Sequence, residues 1–106
     1  MTQVSEPIAY RKVVEALLMD PGVSETKMMG MPSLRIAGKL FGGLHDDALV
    51  VKVGRARADE LIAAGRAQPF DPSGRGRAMK DWARVPEPPD DWIQLAEEAR
   101  SYASIE

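Results

Sequence analysis

The chain has 106 residues, of which 44% are hydrophobic and 28% charged, and it contains no cysteine. This length and composition predict one folded domain over residues 1–106 and exclude a largely disordered chain. The lack of cysteine excludes disulfides, iron–sulfur clusters, zinc–thiolate sites and a cysteine nucleophile. The net charge of −2 hides two unlike parts, because residues 52–84 carry a net +4 and residues 85–106 a net −5.

Nothing in the sequence predicts a membrane segment or a secretory signal. No apolar run reaches the roughly 18 residues that a spanning helix needs. The N-terminus has no basic region followed by an apolar core, as a signal peptide would. We therefore expect a cytoplasmic protein that makes no membrane contact.

The first predicted element is a helix over residues 7–19, with Ser5 as its N-cap. Its apolar positions recur at helical spacing along one face. They are Tyr10, Val13, Val14, Leu17 and Leu18. The turn formers Asp20, Pro21 and Gly22 end the helix.

Between Val23 and Val53 the apolar period changes to two, which predicts strands. They are expected at Thr26–Met31, Ser33–Ala37, Lys39–His45 and Ala48–Val53, with a turn at Gly38. Parallel strands need crossovers of a dozen residues or more, so these runs predict antiparallel hairpins. The last run is apolar at successive positions, which indicates a central strand with one face on helices and the other partly covered. Gly42 and Gly43 predict a bulge or a close approach by another backbone or a ligand.

A second helix is predicted over Arg55–Ala64, ended by Gly65 in the left-handed conformation. After a turn-rich connector, Ala78–Val85 predicts a late strand. A final helix begins after Asp90 or Asp91, either of which can cap it, and it carries an apolar stripe from Trp92 to Ala103. The elements predict an α+β domain in the order helix, strands, helix, strand, helix, with four to five antiparallel strands.

His45 is the only histidine of the chain. A general base or a metal ligand at this position is one interpretation. The other is a solvated turn beside Asp46 and Asp47, residues that suit turns, and the sequence favours it. We assign no catalytic residue, no cofactor-binding residue and no metal ligand.

The basic segment, residues 75–84, is the candidate binding site. It contains Arg75, Arg77, Lys80, Trp82 and Arg84. If a strand begins at residue 78, Lys80, Trp82 and Arg84 share one face of it, and the two cations flank the indole. Such a face binds a nucleotide or an acidic peptide by stacking and charge. The alternative is a flexible turn and an edge strand whose cations discourage aggregation. The preceding Gly-rich stretch lacks the Gly-Lys-Ser/Thr ending of a phosphate loop.

A series of landmarks resembles a known family. They are Met29-Gly30, the hairpin Leu34–Phe41, the strand Leu49–Val53, the stretch Pro69–Pro86, and Trp92 with the last helix. Together they resemble the TfoX N-terminal domain family, which is close in fold to the YjbR-like proteins. The resemblance implies a curved antiparallel sheet, of the kind also found in type III secretion chaperone-like proteins.

The same resemblance implies a function class. The family's namesake is a bacterial competence regulator in which this domain precedes a second one, and we expect this chain to be a stand-alone member. We expect a non-enzymatic regulatory or protein-interaction module whose partner is another protein or a second copy of itself, without a cofactor. The alternative is a binder of nucleic acid, nucleotide or another anion through residues 75–84. An enzyme would need His45 or carboxylates in one pocket with an electrophile-binding group.

Overall fold

Three helices and six strands make up the part of the chain that the computed structural model describes, residues 7–28, 30–72, 74, 76 and 78–105. The helices are α1 (Ile8–Leu17), α2 (Arg55–Ala63) and α3 (Trp92–Ile105). The strands are β1 (Val23–Met28), β2 (Met31–Ile36), β3 (Lys39–His45), β4 (Ala48–Lys52), β5 (Gln68–Pro69) and β6 (Trp82–Val85). The α+β prediction and its element order are confirmed, with the two-residue β5 raising the strand count above four to five.

The strands form one antiparallel sheet in the order β1-β2-β3-β4-β6-β5. β4 lies inside the sheet, and its alternate residues are buried on opposite faces. Leu49 and Val51 belong to the main core, while Val50 belongs to a second cluster with Phe70 and Trp82. The prediction of a central strand is therefore confirmed, and its second face is buried as well, beneath Phe70 and Trp82.

The main core lies between one face of the sheet and the apolar faces of α1 and α3. α1 supplies Tyr10, Val13, Val14 and Leu17, and α3 supplies Trp92, Leu95, Ala96, Ala99 and Ala103. Leu18, which the periodicity places in the stripe, is the C-cap and is 38% exposed because the helix has ended. Pro7 occupies the N-cap position of α1, and the predicted cap, Ser5, lies outside the described residues.

Several strand boundaries differ from the prediction: β1 begins at Val23 instead of Thr26, β2 begins at Met31 instead of Ser33, and β4 ends at Lys52 instead of Val53. β1 ends at Met28, not at Met31, and Gly30, which directly precedes β2, has φ of 82°. β2 ends at Ile36 because Ala37 has φ of 53° and turns with Gly38 toward β3. β6 begins at Trp82, not Ala78, because the Trp82 N–H donates to the Met79 carbonyl at 3.0 Å and closes a turn.

The two glycines inside β3 mark both features that the sequence predicts. The β2–β3 register shifts between Leu34 and Arg35, whose partners are Gly42 and Leu40, which leaves Phe41 as the extra residue of a bulge. A Cβ on Gly43 would lie 2.6 Å from the carbonyl oxygen of Pro32, closer than carbon and oxygen pack. Gly43 is therefore required by the close approach of a neighbouring backbone.

An ion pair fixes the start of α3 to the segment that follows α2. Arg66 donates from Nε and Nη2 to the two carboxylate oxygens of Asp91, at 2.9 and 2.6 Å, and from Nη1 to the Pro86 carbonyl at 2.8 Å. The Asp91 carboxylate, predicted as a helix cap, thus serves mainly as the acceptor for Arg66. These hydrogen bonds hold the pKa of Asp91 below its usual value.

Candidate functional site

The three predicted binding residues that the structure describes, Lys80, Trp82 and Arg84, do not form one exposed face. Lys80 is exposed in the turn before β6, whereas Trp82 and Arg84 lie within β6 and point to the same side of the sheet. Arg75 and Arg77 lie outside the described residues. The expected triplet of Lys80, Trp82 and Arg84 on one strand face is therefore wrong for Lys80, because the strand begins two residues after it.

Trp82 is part of a small core on the sheet face opposite α1 and α3. Its side chain packs with Val50 and Phe70, and the whole residue is only 6% exposed. The Trp82 and Phe70 ring centroids are 5.7 Å apart with a 48° tilt. The expected indole platform for stacking a base is thus largely covered by the protein itself.

Arg84 is held by neighbouring side chains. It donates from Nη1 to Gln68 Oε1 at 2.7 Å and from Nε to His45 Nδ1 at 3.3 Å. Asp46 Oδ2 lies 3.9 Å from Arg84 Nη2, and the Arg84 side chain is 23% exposed. These contacts join the ends of β3, β5 and β6, which makes Arg84 a structural residue of the sheet.

His45 is packed, contrary to the expectation of a solvated turn. Its ring meets Phe70 edge-on at a centroid distance of 5.3 Å, and its side chain is 28% exposed. The Arg84 guanidinium has only donors, so Nδ1 of His45 accepts this hydrogen bond. The sequence misses this contact because 39 residues separate the two side chains.

The Gly-rich loop before β6 is organised around a carboxylate of its own. The backbone N–H groups of Gly74 and Gly76 donate to Asp71 Oδ1 and Oδ2 at 3.0 and 2.7 Å. Both glycines have positive φ, 69° and 77°, which favours glycine at these positions. In a phosphate-binding loop, such N–H groups would face the ligand. Here Asp71 already occupies that place.

A cavity of about 230 Å³ lies where α2, β5 and the turn before β6 meet, and we call it the loop cavity. It contains two members of the predicted site, Lys80 and Trp82. The complete lining is Asp59, Ile62, Pro69, Ala78, Met79, Lys80 and Trp82. Asp59 and Ile62 come from α2, about twenty residues earlier in sequence, and only the fold places them beside the basic segment.

A second cavity of about 230 Å³ lies between the first turns of α1 and α3, and we call it the helix cavity. Its lining is Ala9, Lys12, Val13, Pro89, Trp92 and Ile93. It holds none of the predicted binding residues. The two tryptophans of the chain thus line different cavities.

Within the described ranges, no three His, Asp or Glu side chains are grouped as metal ligands would be. No helix in the described part of the chain is long and apolar enough to cross a membrane.

Comparison with known proteins places the chain in a family. Searches of curated proteins and of solved structures returned no match. The sequence model of the TfoX N-terminal domain matches residues 15–104, nearly the whole chain. The match includes β1–β6, α2, the basic segment and the loop cavity. The chain belongs to the TfoX N-terminal domain family.

Proposed function

We propose that this TfoX N-terminal domain is a non-enzymatic regulatory or protein-interaction module of the bacterial cytoplasm. Its partner is a protein with an acidic segment that carries an apolar side chain. That side chain enters the loop cavity, and the acidic groups around it pair with Lys80 and the neighbouring basic residues. The loop cavity is the observation that carries this proposal.

The size and lining of the loop cavity suit an anchoring side chain. Its 230 Å³ is below the roughly 300–1,000 Å³ that is usual for small-molecule pockets. Ile62, Pro69, Met79 and Trp82 supply apolar walls. Protein interfaces concentrate their binding energy where one such side chain fills a desolvated pocket.

The charge around the cavity favours an acidic partner. Lys80 is exposed at the cavity, and Arg77 and Arg75 precede it by three and five residues in the sequence. Clustered cations attract acidic segments and raise the rate of encounter. Asp59 in the lining supports specificity, because it repels an acidic group placed on its side of the cavity.

Capture from a cytoplasmic extract of the source bacterium tests this proposal with matched baits. Ala78→Phe fills the loop cavity, Lys80→Glu reverses its charge, and Lys12→Glu makes the same reversal at the helix cavity. We expect a protein retained by the wild type and by Lys12→Glu but lost by the other two baits. Purified partner should then bind the Lys80→Glu variant at least tenfold more weakly. Capture that is equal on all four baits, or absent from all four, would contradict the proposal.

The second candidate is binding of nucleic acid, a nucleotide or another anion by the basic segment. The exposed Lys80 close to Arg75 and Arg77 in sequence favours it. The contacts would come from side chains, because Asp71 takes the loop N–H groups of Gly74 and Gly76. A duplex oligonucleotide at 20–200 mM salt is the probe.

Phosphate contacts predict that the logarithm of the affinity falls with a slope of about −0.9 per contact against the logarithm of the salt concentration. The double variant Arg75→Ala, Arg77→Ala would then bind with a shallower slope than the wild type. If the oligonucleotide does not bind at low salt, or if the double variant binds it unchanged, this second candidate fails. The result of this oligonucleotide test does not depend on the result of the protein-capture experiment.

A further inference from the structure

The outer edge of β1 offers an unpaired strand. β1 is the first strand in the sheet order and pairs on its inner side with β2. No strand within the described ranges pairs with its outer side. Ser24, Glu25 and Lys27 are exposed there, and one oxygen of the Glu25 carboxylate accepts a hydrogen bond from Arg11 Nη1 at 3.0 Å. A sheet edge of this length presents backbone N–H and C=O groups that pair readily with another strand.

The backbone of β1 determines which residues present those groups. The Val23 N–H donates to the Asp20 carbonyl at 3.0 Å and so does not pair with β2. Backbone groups of successive residues alternate in direction along an antiparallel strand. The backbone N–H and C=O groups of Glu25 and Lys27 therefore point outward, away from β2. Those of Thr26 point inward, toward Ser33 in β2.

We propose that two copies of this chain associate through β1, antiparallel, about a two-fold axis at Thr26. In this register Glu25 faces the partner's Lys27, and Lys27 faces the partner's Glu25. Each facing pair exchanges two backbone hydrogen bonds, and each also brings opposite charges together across the strands. The association continues the six-stranded sheet of one copy into that of the next.

Other two-fold registers of β1 are less favourable. An axis at Glu25 places two carboxylates opposite each other, and an axis at Lys27 places two ammonium groups opposite each other, which destabilises a strand pair. An axis at Ser24 requires the Val23 N–H as a donor to the partner, but this N–H already donates to the Asp20 carbonyl. The register that satisfies the outward backbone groups is thus also the one with complementary charge. The inference is independent of ligand binding in the loop cavity.

Single cysteines test the register directly, because the chain has none of its own. The axis places Thr26 opposite the partner's Thr26 as a non-hydrogen-bonded pair, with Cα atoms about 4.5 Å apart. That spacing lies in the range of disulfides. The two copies of Ser24 would be offset by four residues, about 13 Å along the strands. Under mild oxidation Thr26→Cys should form a covalent dimer at least tenfold faster than the matched control Ser24→Cys.

Charge reversal provides a second and independent test by sedimentation equilibrium. Lys27→Glu and Glu25→Lys each place like charges across the axis, and each should weaken self-association by about tenfold. An equimolar mixture of the two variants restores both opposite-charge pairs and should form heterodimers with near wild-type affinity. A wild type that stays monomeric up to millimolar concentration, equal cross-linking of the two cysteine variants, or a mixture that does not associate would each overturn the proposal.

Discussion

The Nε–H of Arg84 donates to Nδ1 of His45 at 3.3 Å, across the intervening strand β4. The contact joins the only histidine of the chain to the last residue of its basic segment. It explains why neither side chain acts as the sequence alone suggests. His45 is packed against Phe70 and is not a solvated turn residue, and Arg84 holds strand ends together and is not a free cation.

The first prediction concerns this contact. Arg84→Ala removes the donors to His45 and Gln68, so we expect the free energy of unfolding to fall by about 1–2 kcal/mol. Urea denaturation measures it. Lys80→Ala removes an exposed cation from the same segment and should change stability by less than about 0.5 kcal/mol. Equal effects of the two substitutions would show that Arg84 is not a structural residue.

The second prediction concerns acid stability. Arg66 lowers the pKa of Asp91, so the pair stabilises the fold above the unfolded-state pKa of about 3.9. That stabilisation is lost as the pH falls through the lower folded-state pKa. Since the Asp91 side chain is 35% exposed, we expect Asp91→Asn to cost only about 1 kcal/mol at pH 7.

Urea denaturation between pH 7 and pH 2 checks this. The stability gap between wild type and Asp91→Asn should shrink toward zero at the acid end. Glu97→Gln, which neutralises an exposed carboxylate of α3, is the matched control and should leave the pH dependence nearly unchanged. A gap that stays constant with pH would contradict the assigned role of the pair.

The third prediction concerns the two glycines of β3. Gly43→Ala places a Cβ 2.6 Å from the Pro32 carbonyl oxygen, and we expect a destabilisation of about 2–3 kcal/mol. Gly42→Ala places its Cβ 3.4 Å from the Val50 carbonyl oxygen, a contact that the sheet can accommodate. Thermal melting of the two variants should therefore show a clearly lower midpoint for Gly43→Ala. The reverse order would mean that the close approach lies at the other glycine.

The fourth prediction uses the turn between β2 and β3. Ala37 and Gly38 both have positive φ, 53° and 81°, as in the type I′ turns that favour Asn-Gly. Asn tolerates the left-handed conformation better than Ala does, so Ala37→Asn should stabilise the domain by about 0.5–1 kcal/mol. An unchanged or lower unfolding midpoint in urea would show that this residue carries no strain.

Local patterns predict most of the fold. Helical spacing correctly places Tyr10, Val13, Val14 and Leu17 in the core. Gly65, which follows α2, has the left-handed conformation that the sequence predicts, with φ of 77°. The uninterrupted apolar run of β4 correctly indicates a central strand. These successes share a cause, because periodicity and turn chemistry are properties of neighbouring residues.

The candidate site is less predictable because distant segments build it. The sequence spacing between Trp82 and Arg84 is the same whether the indole is exposed or buried. The indole is buried because Phe70 packs against it, and Phe70 lies 12 residues earlier in the chain. The role of Asp71 as acceptor for two backbone N–H groups depends on loop conformation. Ile62 reaches the loop cavity from α2, and no local pattern encodes that approach.

The most direct test of the interaction-module proposal uses the two indole N–H signals of a ¹⁵N-labelled NMR spectrum. Trp82 lines the loop cavity and Trp92 lines the helix cavity, so the two signals report on the two sites separately. Titration with the purified captured partner should shift the Trp82 indole signal and leave that of Trp92 in place. A shift of Trp92 alone, or binding that moves neither signal, would contradict recognition through the loop cavity.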